Sequence, residues 1–184
     1  MSTNFDPLYR KYPVRRYPLY ARNGMVASSE PQASAAGLEI LRRGGNAMEA
    51  AVATAAALTV IEPTANGIGS DAFAIIWSEK DKKLYGINGS GPAPMMCTPE
   101  RLNADGKVVN GRVPQRGWAS INVPGAVSCW AEIMKKFGTL PMTEVLAPAI
   151  SYAEEGYPMG AAQSRRWRLV YNGFKKALEG PEFA

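Results

Sequence analysis

The chain has 184 residues, 46% of them hydrophobic and 20% charged, with a net charge of +5. This composition suits a globular protein with material for one core or a large piece of one, and it excludes collagen-like, low-complexity and strongly charged disordered classes. The sequence contains no histidine, which excludes Ser-His-Asp and Cys-His catalysis within these residues and removes the commonest zinc ligand.

The charge is concentrated at the start. Residues 1–22 carry Arg10, Lys11, Arg15, Arg16 and Arg22 against Asp6, interleaved with Tyr9, Tyr12, Pro13, Tyr17, Pro18 and Tyr20. The expectation is an extended arm over residues 1–22 that lies on its own domain or on a partner subunit, followed by a folded portion over 23–184. Nucleic-acid binding is the sharper reading of such an arm, but no recognised motif accompanies it, so no nucleic-acid partner is expected. The first 24 residues hold no apolar signal-peptide core, and the nearly apolar stretch Met48 to Ile61 is too short to span a bilayer. A cytoplasmic protein without a membrane partner is therefore expected. Cys97 and Cys129 form no paired motif, which fits a reducing compartment and leaves no metal site and no cofactor site in view.

In chain order, Gly24–Ser28 predicts a short strand. Ser29 serves as a helix N-cap, with Pro31 in the first turn, where its missing N–H costs nothing. Ala33, Ala36, Gly37, Ile40 and Leu41 follow helical spacing, and Gly44 is placed to end the helix. Asn46 and Glu49 make a capping box for a second helix. Its body, Ala47 to Val60, is apolar almost all round, which predicts a central core helix ended by Pro63. "NGIGSDAFAIIW" then runs from a glycine loop into a strand. The unbroken apolar run Ala72–Trp77 predicts a strand covered on both faces, and Leu84–Ile87 returns to make a hairpin.

Residues 98–122 read as irregular, with "NADGK" as a turn and Trp118 and Ile121 as buried points of a long loop. A helix is predicted from Gly125 to Phe137 with a stripe at Val127, Trp130, Met134 and Phe137, capped by Gly138. Another runs from Met142 to Glu155, bent by Pro148 and ended by Gly156. Ala161 to Leu178 predicts a more polar, basic helix that Asn172-Gly173 breaks. The order is mixed α and β with an antiparallel element, not a series of βαβ units.

The residues with chemical potential are few. "GIGSDAF" (Gly67–Phe73) matches no phosphate-loop pattern and is read as tight backbone packing at a strand entrance. Glu49 is explained as a cap. Asp71 and Glu62 have no identifiable partner. Cys129 lies on an apolar helix, and neither thiol has a neighbour that would activate it. One route to amide chemistry remains without histidine: an N-terminal Thr, Ser or Cys whose own α-amine acts as base.

From Gly24 to Phe73 the sequence strongly resembles the gamma-glutamyltranspeptidase family. The resemblance rests on Ser29–Pro31, "GGNA" (Gly44–Ala47), Glu49–Ala53, Glu62-Pro63 and Gly67–Gly69. A second block, Asn122–Val127 with Phe137–Met159, continues it, so it covers about residues 22–160. The resemblance implies an α+β fold, part of the αββα four-layer sandwich of N-terminal-nucleophile hydrolases, incomplete in this chain. It implies an amide hydrolase or acyltransferase made as a self-cleaving precursor. The nucleophilic threonine would lie beyond Ala184, so no catalytic residue is expected here. The partner would be the remainder of the precursor, the small subunit bearing that threonine.

Transpeptidases of this family carry Arg-Glu-Thr-Ala-Pro after the hairpin, and its arginine grips the α-carboxylate of the γ-glutamyl group. Aligned on Ala93-Pro94, this chain has Ser90-Gly91-Pro92 instead. Ser90, with Asn88 and Gly89 beside it, is the candidate substrate-binding position. A hydrogen bond to a charged group contributes about 1.5–3 kcal/mol, and a serine does not reproduce the guanidinium fork. The implied substrate is a small-molecule amide whose acyl group lacks an α-amino acid head or is held differently, as in related acylases and oxamate-type amidohydrolases. The rival reading is a non-catalytic scaffold or interaction domain that reuses the fold.

Overall fold

The computed structural model describes residues 18–115 and 117–178, with side chains through Lys175. Most of the basic arm, and the expectation attached to it, lies outside the described residues. The described residues form, in order, α1 (Pro31–Arg42), α2 (Ala47–Ile61), β1 (Ala72–Ser78), β2 (Lys83–Gly89), α3 (Pro99–Ala104), a short 3-10 helix (Trp118–Ser120), α4 (Ala126–Phe137), α5 (Met142–Glu155) and α6 (Ala161–Leu178). β1 and β2 form an antiparallel pair whose register runs from Ala72 opposite Gly89 to Ser78 opposite Lys83.

The helices organise around α2, which packs against α1, α4 and α5. Its composition explains this. Ala50, Ala53, Ala56 and Ala57 are buried, and their small side chains let neighbouring backbones come close. On α1, Gly37 lies so near α2 that a Cβ there would be 2.8 Å from the Ala50 carbonyl. Ile40, Val52, Ile61 and Val145 are almost fully buried between these helices, each contributing about 1.5–3 kcal/mol by leaving water.

One polar group sits inside this apolar interface. Glu49 is fully buried. Its carboxylate closes the capping box by accepting Asn46 N–H at 2.6 Å and also accepts the backbone N–H groups of Thr139 and of Leu140, the latter at 2.6 Å. Thr139 Oγ1 adds a bond at 3.1 Å, and Asn46 Nδ2 donates to the Phe137 carbonyl at 2.8 Å. The start of α2 is thereby fastened to the α4–α5 connection. Burial, the largest single influence on the Glu49 carboxyl, raises its pKa, but the bonds from Leu140, Asn46 and Thr139 outweigh it and hold the group below the usual range.

Several expectations need correcting. The N-cap of α1 is Glu30, not Ser29, and no side chain caps it. Ser29 instead donates its hydroxyl to Glu62 at 2.6 Å. Gly24–Ser28 is not a strand, because among the described residues no strand pairs with it. β1 is covered on one face only. Ala72, Ala74 and Ile76 face the core, whereas Phe73, Ile75 and Trp77 are exposed. The apolar run predicts two covered faces, and the described residues supply a cover for one.

Trp118 and Ile121 are 64% and 50% exposed, since residues 107–115 and 117–122 contribute nothing to the buried core. α6 continues through Asn172-Gly173; a glycine in a helix interior costs only about 1 kcal/mol, less than breaking the helix on both sides. Its N-terminal half is held by polar contacts, with Gln163 Nε2 donating to Glu30 at 2.9 Å and Arg166 to Glu62 at 2.9 Å.

Glu49→Gln is expected to lower stability at pH 7 by about 2 kcal/mol, because the amide turns a donor toward groups that are themselves donors. A folded-state carboxyl pKa below the unfolded one adds stability that is complete above the unfolded value and is lost as pH falls through the folded one. The difference between wild type and variant should therefore shrink below about pH 4.3. Urea midpoints at pH 7 and pH 3.5 check this, and a gap that does not change with pH contradicts it.

Candidate functional site

The end of β2 runs into a corner built by three segments that the sequence separates widely. Ala72 pairs with Gly89, so Asp71 stands opposite Ser90, one step past the end of the ladder. Asp71 Oδ1 accepts the Gly91 N–H at 3.1 Å. Asn88 Oδ1 accepts the Ser90 N–H at 2.9 Å, a local turn of the kind asparagine favours. From the third segment, Val123 N–H donates to the Pro92 carbonyl at 3.0 Å.

Glycine makes this crossing possible. A Cβ on Gly91 would overlap the Val123 carbonyl. One on Gly125 would overlap the Gly89 carbonyl and lie 2.8 Å from Gly91 N, and one on Gly89 would lie 2.7 Å from the Ala72 carbonyl and 3.0 Å from Cys129 Sγ. The head of α4 is sealed in the same place. Gly125 and Ala126 N–H both donate to the Ser70 carbonyl, at 3.1 and 2.8 Å, which satisfies two of the donors a helix start leaves open.

The three candidate residues thus fall together, but with different parts. Asn88 and Ser90 are exposed; Gly89 is half-buried inside the crossing. The tight packing expected of "GIGSDAF" lies elsewhere: around Gly69 there is open space, and the close approaches belong to Gly89, Gly91 and Gly125. Asp71 and Glu62, expected to lack partners, both have them. Glu62 is buried and accepts Ser29 Oγ at 2.6 Å, Asn66 Nδ2 at 3.1 Å and Arg166 Nη1 at 2.9 Å. Ser29 and Arg166 are remote from Glu62 in sequence, so no local pattern announces them.

The corner offers a hydroxyl, a carboxylate and exposed turn backbone. It offers no nucleophile with a base beside it. Cys129 is buried beneath it, and burial pushes its thiol pKa up, away from the reactive thiolate. Among the described residues no cluster of three metal-ligating side chains occurs, and no helix is long and apolar enough to cross a membrane.

Comparison with known proteins gives the corner a context. The model of the gamma-glutamyltranspeptidase family matches residues 33–184. The glutathione hydrolase-like YwrD proenzyme of Bacillus subtilis is 40% identical over 144 residues, which is 77% of this chain and 26% of that protein. Among solved structures, a cephalosporin acylase from Bacillus halodurans is 51% identical, with a TM-score of 0.85 over 96% of this chain and 32% of its own. The gamma-glutamyltranspeptidase of Helicobacter pylori is 32% identical, with a TM-score of 0.76 over 86% of this chain and 46% of its own. The chain spans about a quarter of the length of the curated relatives it matches.

Gly91→Ala should destabilise the protein by more than about 2 kcal/mol, because a main-chain carbonyl cannot swing aside as a flexible side-chain end can. Gly69→Ala should be nearly neutral. Thermal unfolding of the two variants side by side, with amide exchange at Val123, checks the contrast; equal melting temperatures would show that the crossing is loose.

Proposed function

The chain belongs to the gamma-glutamyltranspeptidase family, and from that premise we propose that it is the leading part of an amide hydrolase or acyltransferase whose nucleophile lies outside these 184 residues. The supporting observation is the match of residues 33–184 to the family, together with relatives that are proenzymes. In this reading an N-terminal threonine, freed by self-cleavage, attacks an amide carbonyl while its own α-amine takes the proton. The residues described here carry and shape the site, and the second subunit is their partner. The absence of histidine from the chain is in keeping with that division of labour.

The same reading assigns Ser90, with Asn88 and Gly89, to the acyl-group side of the site. Ser90 has an exposed side chain and a backbone N–H already used by Asn88. It brings no positive charge to hold an α-carboxylate. The substrate is then an amide other than a standard γ-glutamyl compound. The acylase similarity supports this direction, since that structure combines 51% identity with a substrate class named for a cephalosporin.

Two outcomes test the proposal. The 184-residue chain by itself should neither cut itself nor release p-nitroaniline from γ-glutamyl-p-nitroanilide. The reading frame extended downstream should yield two bands on a denaturing gel, with a threonine at the new N-terminus. An extended product that stays whole and inactive would favour the scaffold alternative. In the active extended enzyme, Ser90→Arg should raise kcat/KM for γ-glutamyl-p-nitroanilide by roughly 10- to 100-fold, the value of a charge-assisted bond.

A further inference from the structure

We propose that Asp71 is a specificity-determining residue, one that selects against acyl groups ending in a carboxylate and favours those presenting a hydrogen-bond donor. The inference rests on the reading above, in which the Ser90 corner faces the acyl group.

The argument begins with charge. Three segments meet at the corner through the contacts described above: residues 70–72, 88–92 and 123–126. None of them contains a lysine or an arginine. Asp71 is exposed, and no ion pair is found for it among the described residues. Its place is set by two constraints. The register puts it across from Ser90, and Oδ1 is fixed by the Gly91 N–H at 3.1 Å. That bond uses one carboxylate oxygen. The other, Oδ2, is left as an acceptor beside the turn.

A carboxylate on an incoming acyl chain would meet this anion and find no cation in the three segments to offset it. Like charges a few ångströms apart repel by roughly 1–4 kcal/mol in surroundings between water and a protein surface. A hydroxyl, an amide N–H or an ammonium group would instead find an acceptor already held in place. Asp71 therefore does two things at one position. As a hydrogen-bond acceptor it positions the Ser90–Gly91 backbone, and as a charge it discriminates among acyl groups.

Two substitutions separate these roles. Asp71→Asn keeps an acceptor oxygen for Gly91 and removes the charge. Asp71→Ala removes both. The readout is kcat/KM of the extended, self-processed enzyme for three anilides: glutaryl-p-nitroanilide, which ends in a carboxylate; butyryl-p-nitroanilide, which is neutral; and 4-aminobutyryl-p-nitroanilide, which ends in an ammonium. Asp71→Asn should raise the glutaryl-to-butyryl ratio about tenfold and lower the aminobutyryl-to-butyryl ratio by a similar factor. Raising the salt concentration should shrink both shifts.

If Asp71→Asn and Asp71→Ala change all three substrates by the same factor, Asp71 is only a backbone support and the proposal fails. If the ratios do not move in Asp71→Asn, the charge is not sensed and the proposal also fails. Failure of the underlying reading looks different: Ser90→Arg would then leave γ-glutamyl turnover unchanged, whatever Asp71 variants do.

Discussion

A single buried carboxylate fixes how the helical layer is assembled. Glu49 sits at the first turn of α2, yet most of its hydrogen bonds come from a turn some ninety residues later, at Thr139 and Leu140. An ionised group inside an apolar interface is tolerated only when its oxygens are fully served. Here they are, by three backbone N–H groups and a hydroxyl. The result is a fixed junction between the start of α2 and the end of α4. α4 in turn carries Gly125 at its head and Cys129 on its buried side, both in contact with the end of β2. The position of the Ser90 corner relative to the helical layer is thus set through α4.

The corner itself is a backbone structure. Its precision comes from amide bonds and from the absence of three Cβ atoms, not from large side chains. Such an arrangement leaves its few side chains free to vary. Ser90, Asn88 and Asp71 project from a frame that does not depend on their identity for its packing, although Asp71 and Asn88 each hold one backbone N–H. Frame and projecting side chains are thereby separated, so the side chains can change without repacking the crossing.

Much of the frame was legible in the sequence because its signals are local. Gly44, the Asn46–Glu49 box, Gly138 and Gly156 each end or begin a helix as their chemistry dictates, and Gly44 and Gly156 adopt the positive φ that glycine allows. The hairpin followed from its apolar runs and charged turn. The fold class, part of an αββα sandwich, came from the ordered blocks of the family resemblance, and the solved relatives share it. What escaped depends on distance along the chain. Ser29 pairs with a residue 33 positions away, Glu62 with one 104 away and Asp71 with one 20 away. The apolar pattern of β1 reported what the strand can be covered by, not what the described residues supply. The glycines of the loop at Gly67 and Gly69 looked more constrained than those of the crossing, because composition shows flexibility and does not show which backbones will meet.

The Ser70 carbonyl has a consequence for where negative charge can be received. A helix N-terminus is the commonest ready-made receptor for an anion in a protein, through its free amide hydrogens and the positive end of its dipole. The head of α4 lies beside Ser90, and its amide hydrogens at Gly125 and Ala126 are already spent on that carbonyl. An anion placed at this corner could not draw on those two amide hydrogens without first displacing the Ser70 carbonyl. Of the four N–H groups that a helix start leaves open, two are thus withdrawn from any ligand at this corner.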